Sequence, residues 1–467
     1  MNAAINNKRG EAMAIALLAM GLLTPALFNR FPLIFPDSGT YLGIAFGHEY
    51  AIDRSSVYGF FLKPFVTIAP GLTGLWLAVV AQALLLAALL WPVARLISGG
   101  ARAAAVVLFV TLIVTSLGWH GAQFMPDAFT GATVLLGWLA VRRDPGAPGG
   151  PLLWLAAIFA ALMHYTHVPL LLVAGGTSLI AQKVGGLGWR ACLGRAGVLI
   201  VAVAMAILLQ VGLNRTILDR PAMAPIGPLF IFARLNEDGL MRPWLADHCG
   251  RDAAPELCAL APQLPDNSQK LLWGGAASPI TDLIWHPPVD AARWAWIDRM
   301  SAANLGAITA RPGRFLDHSL RGTLRQFATF AALDDECPVG CHDRVGGIGF
   351  ALSKYRPQTL AALDASRQVQ DDNPKALLRA VTTPVAWLGL MLLPVLLVVG
   401  WWRRDGEAVT LVAAIMAALV TNAALAGALS DVHARYQSRI VWLAPFAVLC
   451  LIARWRQPVR AAARSVD

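Results

Sequence analysis

The sequence predicts an all-α membrane protein that crosses the bilayer about ten times, and three observations support this class. Of the 467 residues, 57% are apolar and only 14% are charged, whereas soluble domains usually carry about 25% charged residues. The apolar residues cluster in charge-free runs of roughly 17 to 24 residues, the length that crosses about 30 Å of hydrocarbon. Basic residues concentrate in alternate connections between these runs.

The apolar runs define the predicted spans and divide the chain into parts. We expect spans at residues 12–28, 71–94, 103–118, 128–141, 152–163, 168–182, 196–213, 383–400, 408–429 and 440–453. The first run resembles a signal peptide, but no small-x-small cleavage site precedes Asn29, so we expect an uncleaved span. The predicted parts are an N-terminal module (1–213) with a first outer loop (29–70), an outer, mainly helical domain (214–382) and a C-terminal module (383–467).

The distribution of basic residues predicts the orientation. Lysine and arginine are about three times as frequent in one set of short connections as in the other, and the richer set is expected to face the cytoplasm. Both termini are then cytoplasmic, and the outer domain is periplasmic if the membrane is a bacterial inner membrane. The net charge of +10 fits contact with anionic membrane lipids and requires no nucleic-acid partner.

The cysteines agree with this orientation. Four of them lie in the outer domain: Cys249, Cys258, Cys337 and Cys341. Because disulfides persist outside the cytoplasm, we expect two local bridges, Cys249–Cys258 and Cys337–Cys341. A zinc site that uses Cys337, Cys341 and His342 is the alternative. The two cysteines on the cytoplasmic side are expected to be free thiols.

The outer domain contains a sequence typical of an amphipathic helix. The helix is predicted to begin after Pro312, and its apolar residues recur at helical spacing: Phe315, Leu316, Leu320, Leu324 and Phe327. We expect this stripe to pack in the core of the domain. Contact with lipid is the alternative.

Polar residues concentrate in the first outer loop, just beyond the first span. They are Asp37, Ser38, Tyr41, His48, Asp53, Arg54 and Tyr58. A carboxylate at the water interface, such as that of Asp37, can accept a proton from a nucleophile or hold a divalent metal beside a phosphate. The alternative is that Asp37 caps a short helix that begins at Ser38, because aspartate favours that position.

The other outer helix ends carry a similar set of polar side chains. They are His120, Gln123, Asp127, His164, Tyr165, His167, Asp431, His433, Arg435, Tyr436, Gln437 and Arg439. Polar groups near a membrane are costly, so their concentration on one face predicts a functional cavity. A metal pair formed by His164 and His167 is a further alternative, although no nearby acidic residue completes a ligand set.

Two arginines precede the last span at the spacing of one helical turn. Arg435 and Arg439 lie four residues apart, so both can face the same side of a helix. Together they can grip a phosphate through bidentate contacts. Their outward position runs against the positive-inside trend, which also favours a specific role. Snorkelling toward lipid phosphates is the alternative.

Short motifs follow one another along most of the chain. They are Pro36-Asp37-Ser38 with Tyr41, residues 54–58, residues 125–129, residues 310–316 and Arg435-Tyr436. Their order resembles the GT-C superfamily of polytopic membrane glycosyltransferases, which includes protein O-mannosyltransferases and aminoarabinose transferases of lipid A. The chain departs from that pattern at Ser38, where many members have a second acidic residue. Either Asp53 supplies the second carboxylate, or no second acidic residue is needed.

The resemblance implies a GT-C-like fold and an activity. Such enzymes transfer a sugar from a polyprenyl-phosphate carrier to a lipid, glycan or protein acceptor outside the cytoplasm. Asp37 would act as general base or would organise the acceptor, and Asp127 matches an acidic position in some relatives, so both are catalytic candidates. Arg435, Arg54 and Arg439 would neutralise the carrier phosphate. The pattern requires no particular cofactor, although a divalent metal ion is compatible with it.

Two other functions fit a protein of this class. A transporter or flippase of a lipid-linked sugar usually has charged residues within its spans or two related halves. Here the polar residues within the spans are the uncharged Gln82, Gln210 and Asn422, and the sequence has no repeated halves. A non-catalytic component of an envelope-polysaccharide assembly is the other alternative.

Overall fold

The computed structural model describes residues 2–47, 50–142, 150–251, 253–333 and 347–457, with side chains from Arg9 onward. Within these ranges the elements are helices, and the β-type pairing is one isolated parallel bridge between Leu33 and Gln123. The predicted all-α class is therefore confirmed. His48, Cys337, Cys341 and His342 lie outside the described residues.

The helices are numbered along the chain. They are α1 (Asn2–Asn29), α2 (Ser38–Ala45), α3 (Val57–Ile68), α4 (Gly71–Ser98), α5 (Ala101–Val114), α6 (Leu117–Gly121), α7 (Thr130–Ala140), α8 (Gly150–Leu162), α9 (His167–Val184), α10 (Trp189–Leu218), α11 (Gly227–Glu237), α12 (Met241–His248), α13 (Pro255–Leu260), α14 (Ser268–Trp273), α15 (Asp290–Ala310), α16 (Pro312–Ala328), α17 (Gly347–Tyr355), α18 (Leu360–Asp364), α19 (Lys375–Trp402), α20 (Gly406–Leu429), α21 (Ala434–Val441) and α22 (Leu443–Arg456).

The chain forms two compact units. The first comprises Met1–Gln210, Ala331–Leu419 and Ser438–Asp467, and the second comprises Val211–Phe330 and Val420–Gln437. The start of the second unit lies close to the boundary predicted at residue 213. Residues 331–382, which we assigned to the outer domain from the sequence, cluster instead with the first unit.

Six helical segments among the described residues are long and apolar enough to cross a membrane. They are Arg9–Asn29 within α1, the whole of α4, α10, α19 and α20, and Ala434–Arg456, which covers α21 and α22. These six segments are consistent with the helical membrane protein that the sequence predicted.

The four remaining predicted spans also coincide with helices. Three of these helices are shorter than the about 20 residues that cross the hydrocarbon: α5, α7 and α8 have 14, 11 and 13 residues. Helix α9 has 18 residues, which is long enough to cross, but it is not among the six segments. Every residue of α7 is buried. An apolar run therefore marked a helix correctly, but it did not distinguish a span from a short helix inside the protein. The count of ten spans stays a prediction.

Glycines determine where some of these helices end and how closely they pack. Helix α4 ends at Gly99, whose φ of 82° is the left-handed conformation that glycine adopts without strain. Helices α7 and α9 pack through Gly137, where a Cβ would lie 2.9 Å from the carbonyl oxygen of Leu171. Such small residues let membrane helices approach each other closely.

The second unit contains the disulfide expected from the sequence. Cys249, directly after α12, is bonded to Cys258 in α13 with an S–S distance of 2.07 Å. The bridge therefore ties two short helices that follow each other in the chain. Cys192 and Cys450, the two cysteines outside the predicted outer domain, are free, as expected from the sequence.

Helix α16 forms where it was predicted, but its leucine stripe is not in a core. The side chains of Leu316, Leu320 and Leu324 are 66%, 60% and 61% exposed, so the expected core packing is wrong. The reason is that α16 packs through Gly322, where a Cβ would lie 2.1 Å from the carbonyl oxygen of Gly427. This close backbone contact turns a different side of the helix toward its neighbour.

Candidate functional site

The first outer loop is attached through its backbone to the segment that precedes Asp127. The Leu33 amide donates to the Ala122 carbonyl at 3.1 Å, and the Phe124 amide donates to the Leu33 carbonyl at 2.9 Å. The Ser38 hydroxyl donates to the Phe124 carbonyl and accepts from the Phe35 amide, both at 2.9 Å. Ser38 therefore fixes the turn on which Asp37 lies.

The same loop is attached on its other side by a residue distant in sequence. The Gln368 side chain accepts from the Ile34 amide at 3.0 Å and donates to the Ile34 carbonyl at 2.6 Å. The Asn29 side chain in turn accepts a hydrogen bond from the backbone amide of Gln368 at 2.7 Å. Gln368 and Asn29 thus support the site, although no motif in the sequence marked either of them.

Helix α2, which follows Asp37, packs closely against α17. A Cβ on Gly39 would lie 2.3 Å from the backbone of Gly347, so only glycine fits there. Asp37 occupies the N-cap position of α2, but its side chain makes no capping hydrogen bond. The capping alternative is therefore wrong, and the carboxylate has a different contact.

That contact is Arg54, which lies between two carboxylates. The Arg54 Nη1 atom is 2.9 Å from Asp37 Oδ1, and Arg54 Nε donates to Asp53 Oδ2 at 3.0 Å. The side chains of Arg54 and Asp53 are 13% and 9% exposed, whereas that of Asp37 is 28% exposed. Asp37 is therefore the more exposed of the two acids that Arg54 contacts.

Two aromatic side chains, Tyr41 and Tyr58, pack next to this cluster. The Arg54 guanidinium lies 5.6 Å from the centroid of the Tyr41 ring, which meets the Tyr58 ring edge-on at 5.0 Å. Burial raises the pKa of Tyr41 well above its ordinary value despite the opposing effect of Arg54, so its phenol stays protonated. The ring therefore stabilises Arg54 through a cation–π contact and adds no charge of its own.

Tyr58 connects this aromatic pair to helix α4. Its hydroxyl donates to Gln82 Oε1 at 2.6 Å. Gln82 Nε2 donates to the carbonyls of Gly121 and Gln123, both at 2.9 Å. Gln82 is fully buried and uses its amide to join α4 to two segments of the site.

Asp127 forms a second ion pair, which is buried. Arg439 Nη1 donates to Asp127 Oδ1 at 2.6 Å, and the two side chains are 2% and 1% exposed. Arg439 Nη2 also donates to the Thr166 hydroxyl at 3.2 Å. Two residues proposed from the sequence for catalysis and for phosphate binding therefore contact each other and present almost no surface to a substrate.

The predicted histidines of the first unit are also engaged in hydrogen bonds. His167 is fully buried and its ring nitrogens lie 2.8 Å from the Ala160 carbonyl and 2.9 Å from the Thr130 hydroxyl. His164 contacts the Thr166 hydroxyl at 2.8 Å. His120 contacts the Ser438 hydroxyl at 2.9 Å. These contacts favour structural roles over the metal pair, because His167 has both nitrogens occupied.

No group of three or more histidine, cysteine, aspartate or glutamate side chains suited to a metal ion occurs among the described residues. The divalent metal suggested by the resemblance therefore has no three-residue ligand set in this part of the chain. Asp37 and Asp53 are joined through Arg54, a cation that occupies the space between their carboxylates.

The remaining predicted site residues belong to the second unit. The Arg435 guanidinium lies 5.1 Å from the centroid of the Tyr436 ring, and that ring meets His433 edge-on at 5.5 Å. The His433 amide donates to Gln326 Oε1 at 2.9 Å. Arg435 and Arg439 do share one helix, α21, as expected from their spacing.

Comparison with protein families, with characterised proteins and with solved structures gives no match. The function is therefore argued from the geometry of the site.

Proposed function

We propose that the chain is a GT-C-type glycosyltransferase that uses a polyprenyl-phosphate sugar at the outer face of a bacterial inner membrane. The proposal includes ten spans with both termini in the cytoplasm. The observation that carries it is the cluster of Asp37, Arg54 and Asp53, which lies just beyond the first membrane helix and leaves Asp37 partly exposed. The order of motifs along the chain supports the same class.

The chemistry needs a proton acceptor close to the membrane surface. A hydroxyl or amine of the acceptor attacks the anomeric carbon, and its proton passes to the Asp37 carboxylate. The bond between that carbon and the phosphate oxygen breaks, and its electron pair leaves with the carrier phosphate. Asp37 suits this role because it is the most exposed acid of the cluster and its position is fixed by Arg54 and by Ser38.

Arg54 is better suited to positioning Asp37 than to binding the donor phosphate. A phosphate that approached Arg54 would compete with two carboxylates already in contact with it. The same argument assigns Asp127 and Arg439 a positioning role, since each neutralises the other in a buried site. Arg435, whose guanidinium lies 5.1 Å from the centroid of the Tyr436 ring, stays a predicted phosphate ligand.

The polar residues within the spans favour an enzyme over a transporter. Gln82 contacts Tyr58 and two carbonyls, Gln210 contacts the Ser55 hydroxyl, and Asn422 contacts the Tyr436 carbonyl and Gln437. All three are buried, with at most 2% exposure. Polar groups that fasten helices in this way do not line an open path for a sugar.

Replacing Asp37 by asparagine tests the proposal. The full-length protein, purified in detergent, is incubated with a panel of radiolabelled sugars on polyprenyl phosphate and with bacterial envelope lipids. Asp37→Asn is expected to slow release of polyprenyl phosphate at least about 100-fold, the usual contribution of a general base. Asp266→Asn is the matched control, because its carboxylate is 91% exposed and belongs to the other unit.

The possible outcomes separate the parts of the proposal. Release at the wild-type rate by Asp37→Asn, with an unchanged unfolding temperature, would remove Asp37 from the mechanism. If the wild-type protein binds the lipid-linked sugars but releases no polyprenyl phosphate from any of them, the enzymatic assignment fails. A transporter or a non-catalytic assembly component would then be the better assignment.

A further inference from the structure

A large cavity lies in the first unit, away from the candidate site. Its volume is about 990 Å³. Its lining comes from residues at the ends of α7, α9 and α19 and near the starts of α10 and α20. The cavity lies at the C-terminal ends of α7 and α9, whereas Asp127 and Thr166 of the candidate site precede the N-terminal ends of these helices. The 18 residues of α9 span about 27 Å. The cavity and the candidate site are therefore separated by roughly the thickness of the hydrocarbon layer.

Positive charge predominates in the lining. Arg142, Arg195 and Arg404 line the cavity, and Glu407 is the acidic residue among the described lining residues. Arg142 is paired with Glu407 and its guanidinium lies 5.2 Å from the centroid of the Trp138 ring. Its Nε atom is buried and donates to no acceptor among the described residues. The lining thus brings three guanidinium groups to one cavity, which suits a phosphate.

Two of the donors are held by neighbouring groups or by the backbone. Arg195 Nη1 donates to Gln182 Oε1 at 2.6 Å, so its side chain is oriented toward the end of α9. Arg404 has a φ of 55°, a conformation that is costly for a residue other than glycine. It lies two residues after the end of α19, is exposed and lines the cavity.

The rim of the cavity also has an apolar part. Val184 and Trp401 both line the cavity, and they are 62% and 54% exposed. Exposed tryptophan beside arginine at the end of membrane helices is typical of the interface between hydrocarbon and headgroups. A free phosphate compound would gain nothing from these apolar surfaces, whereas a lipid would place its acyl chains against them.

We propose that this cavity binds the phosphate headgroup of an anionic phospholipid from the leaflet at that end of the helices. The arginines contact the phosphate, and the acyl chains extend past Val184 and Trp401. Basic pockets between membrane helices are suited to such headgroups. The site does not depend on the glycosyltransferase proposal, because it lies at the other end of α7 and α9.

Native mass spectrometry of the full-length protein in detergent tests this proposal. The protein is titrated with phosphatidylglycerol and, separately, with phosphatidylcholine of the same acyl chains. The wild type is expected to retain one phosphatidylglycerol in preference to phosphatidylcholine. Arg404→Gln and Arg195→Gln are each expected to weaken that binding about tenfold, the loss of one charge-assisted contact.

The matched control is Arg190→Gln, which removes an exposed arginine at the start of α10 that does not line the cavity. Binding that is unchanged in Arg190→Gln but weakened in Arg404→Gln supports the proposal, and Arg404 is exposed enough for that variant to fold. Equal binding by all three variants, or equal retention of phosphatidylcholine, overturns it. Displacement of the lipid by millimolar inorganic phosphate would also overturn it and indicate a site for free phosphate compounds.

Discussion

Replacing Asp127 by asparagine is expected to lower the free energy of unfolding by about 3–5 kcal/mol, the cost of breaking a buried ion pair from one side. The stability cost of a buried pair applies here because Asp127 and Arg439 are 1% and 2% exposed and their charged atoms are 2.6 Å apart. The variant leaves the Arg439 guanidinium buried with the neutral Thr166 hydroxyl as a remaining contact. An exposed pair would cost far less, because water would solvate the remaining charge.

The measurement is unfolding of the purified protein in mixed micelles by titration with sodium dodecyl sulfate. Asp219→Asn is the matched control, since Asp219 and Arg215 form an exposed pair with side chains 86% and 61% accessible, and little change is expected. The double variant Asp127→Asn with Arg439→Met removes both charges and should be more stable than the sum of the single effects implies. A loss below about 1 kcal/mol in Asp127→Asn, or strict additivity in the double variant, would refute a structural ion pair.

Two further predictions concern packing and pH. Gly39→Ala is expected to lower the free energy of unfolding by about 1–3 kcal/mol because the added Cβ meets the α17 backbone. Gly176→Ala is the matched control, since its added Cβ meets nothing within 4 Å and no such loss is expected. Equal unfolding midpoints for the two variants would contradict this prediction. Burial alone would raise the pKa of Asp405, but hydrogen bonds from Arg454 hold that pKa below its usual value, so the ionised form stabilises the fold. The stability difference between the wild type and Asp405→Asn is therefore expected to be full at pH 7 and to shrink as the pH falls below about 4; unfolding midpoints that keep a constant difference down to pH 3 would contradict it.

Hydropathy predicted where helices form, and six of the ten predicted spans coincide with helical segments long and apolar enough to cross a membrane. Every predicted span coincides with a helix, because a charge-free apolar run that is removed from water must satisfy its backbone hydrogen bonds internally. The 11 residues of α7 are all buried, and burial by lipid and burial by protein leave the same apolar signature in a sequence. The disulfide Cys249–Cys258 was predictable for a different reason, since its partners are close in the chain.

The partners of the site residues were not predictable from local patterns. Asp37 was expected either to cap α2 or to act in catalysis. Its carboxylate contacts Arg54 and makes no capping hydrogen bond, and its role in catalysis stays a prediction. Gln368 binds Ile34 across 334 positions of sequence, and nothing in its neighbourhood marks it. Contacts of this kind depend on how helices pack, which a single sequence does not specify.

Exposure separates two kinds of acid that looked alike in the sequence. Asp127 is buried and neutralised by one arginine, so protonating or replacing it acts first on stability. Asp37 shares Arg54 with Asp53 and is 28% exposed. A general base must reach its substrate, and the side chain of Asp37 is accessible whereas that of Asp127 is 1% exposed. Asp37→Asn is therefore expected to lower activity more than stability, and Asp127→Asn is expected to lower stability first.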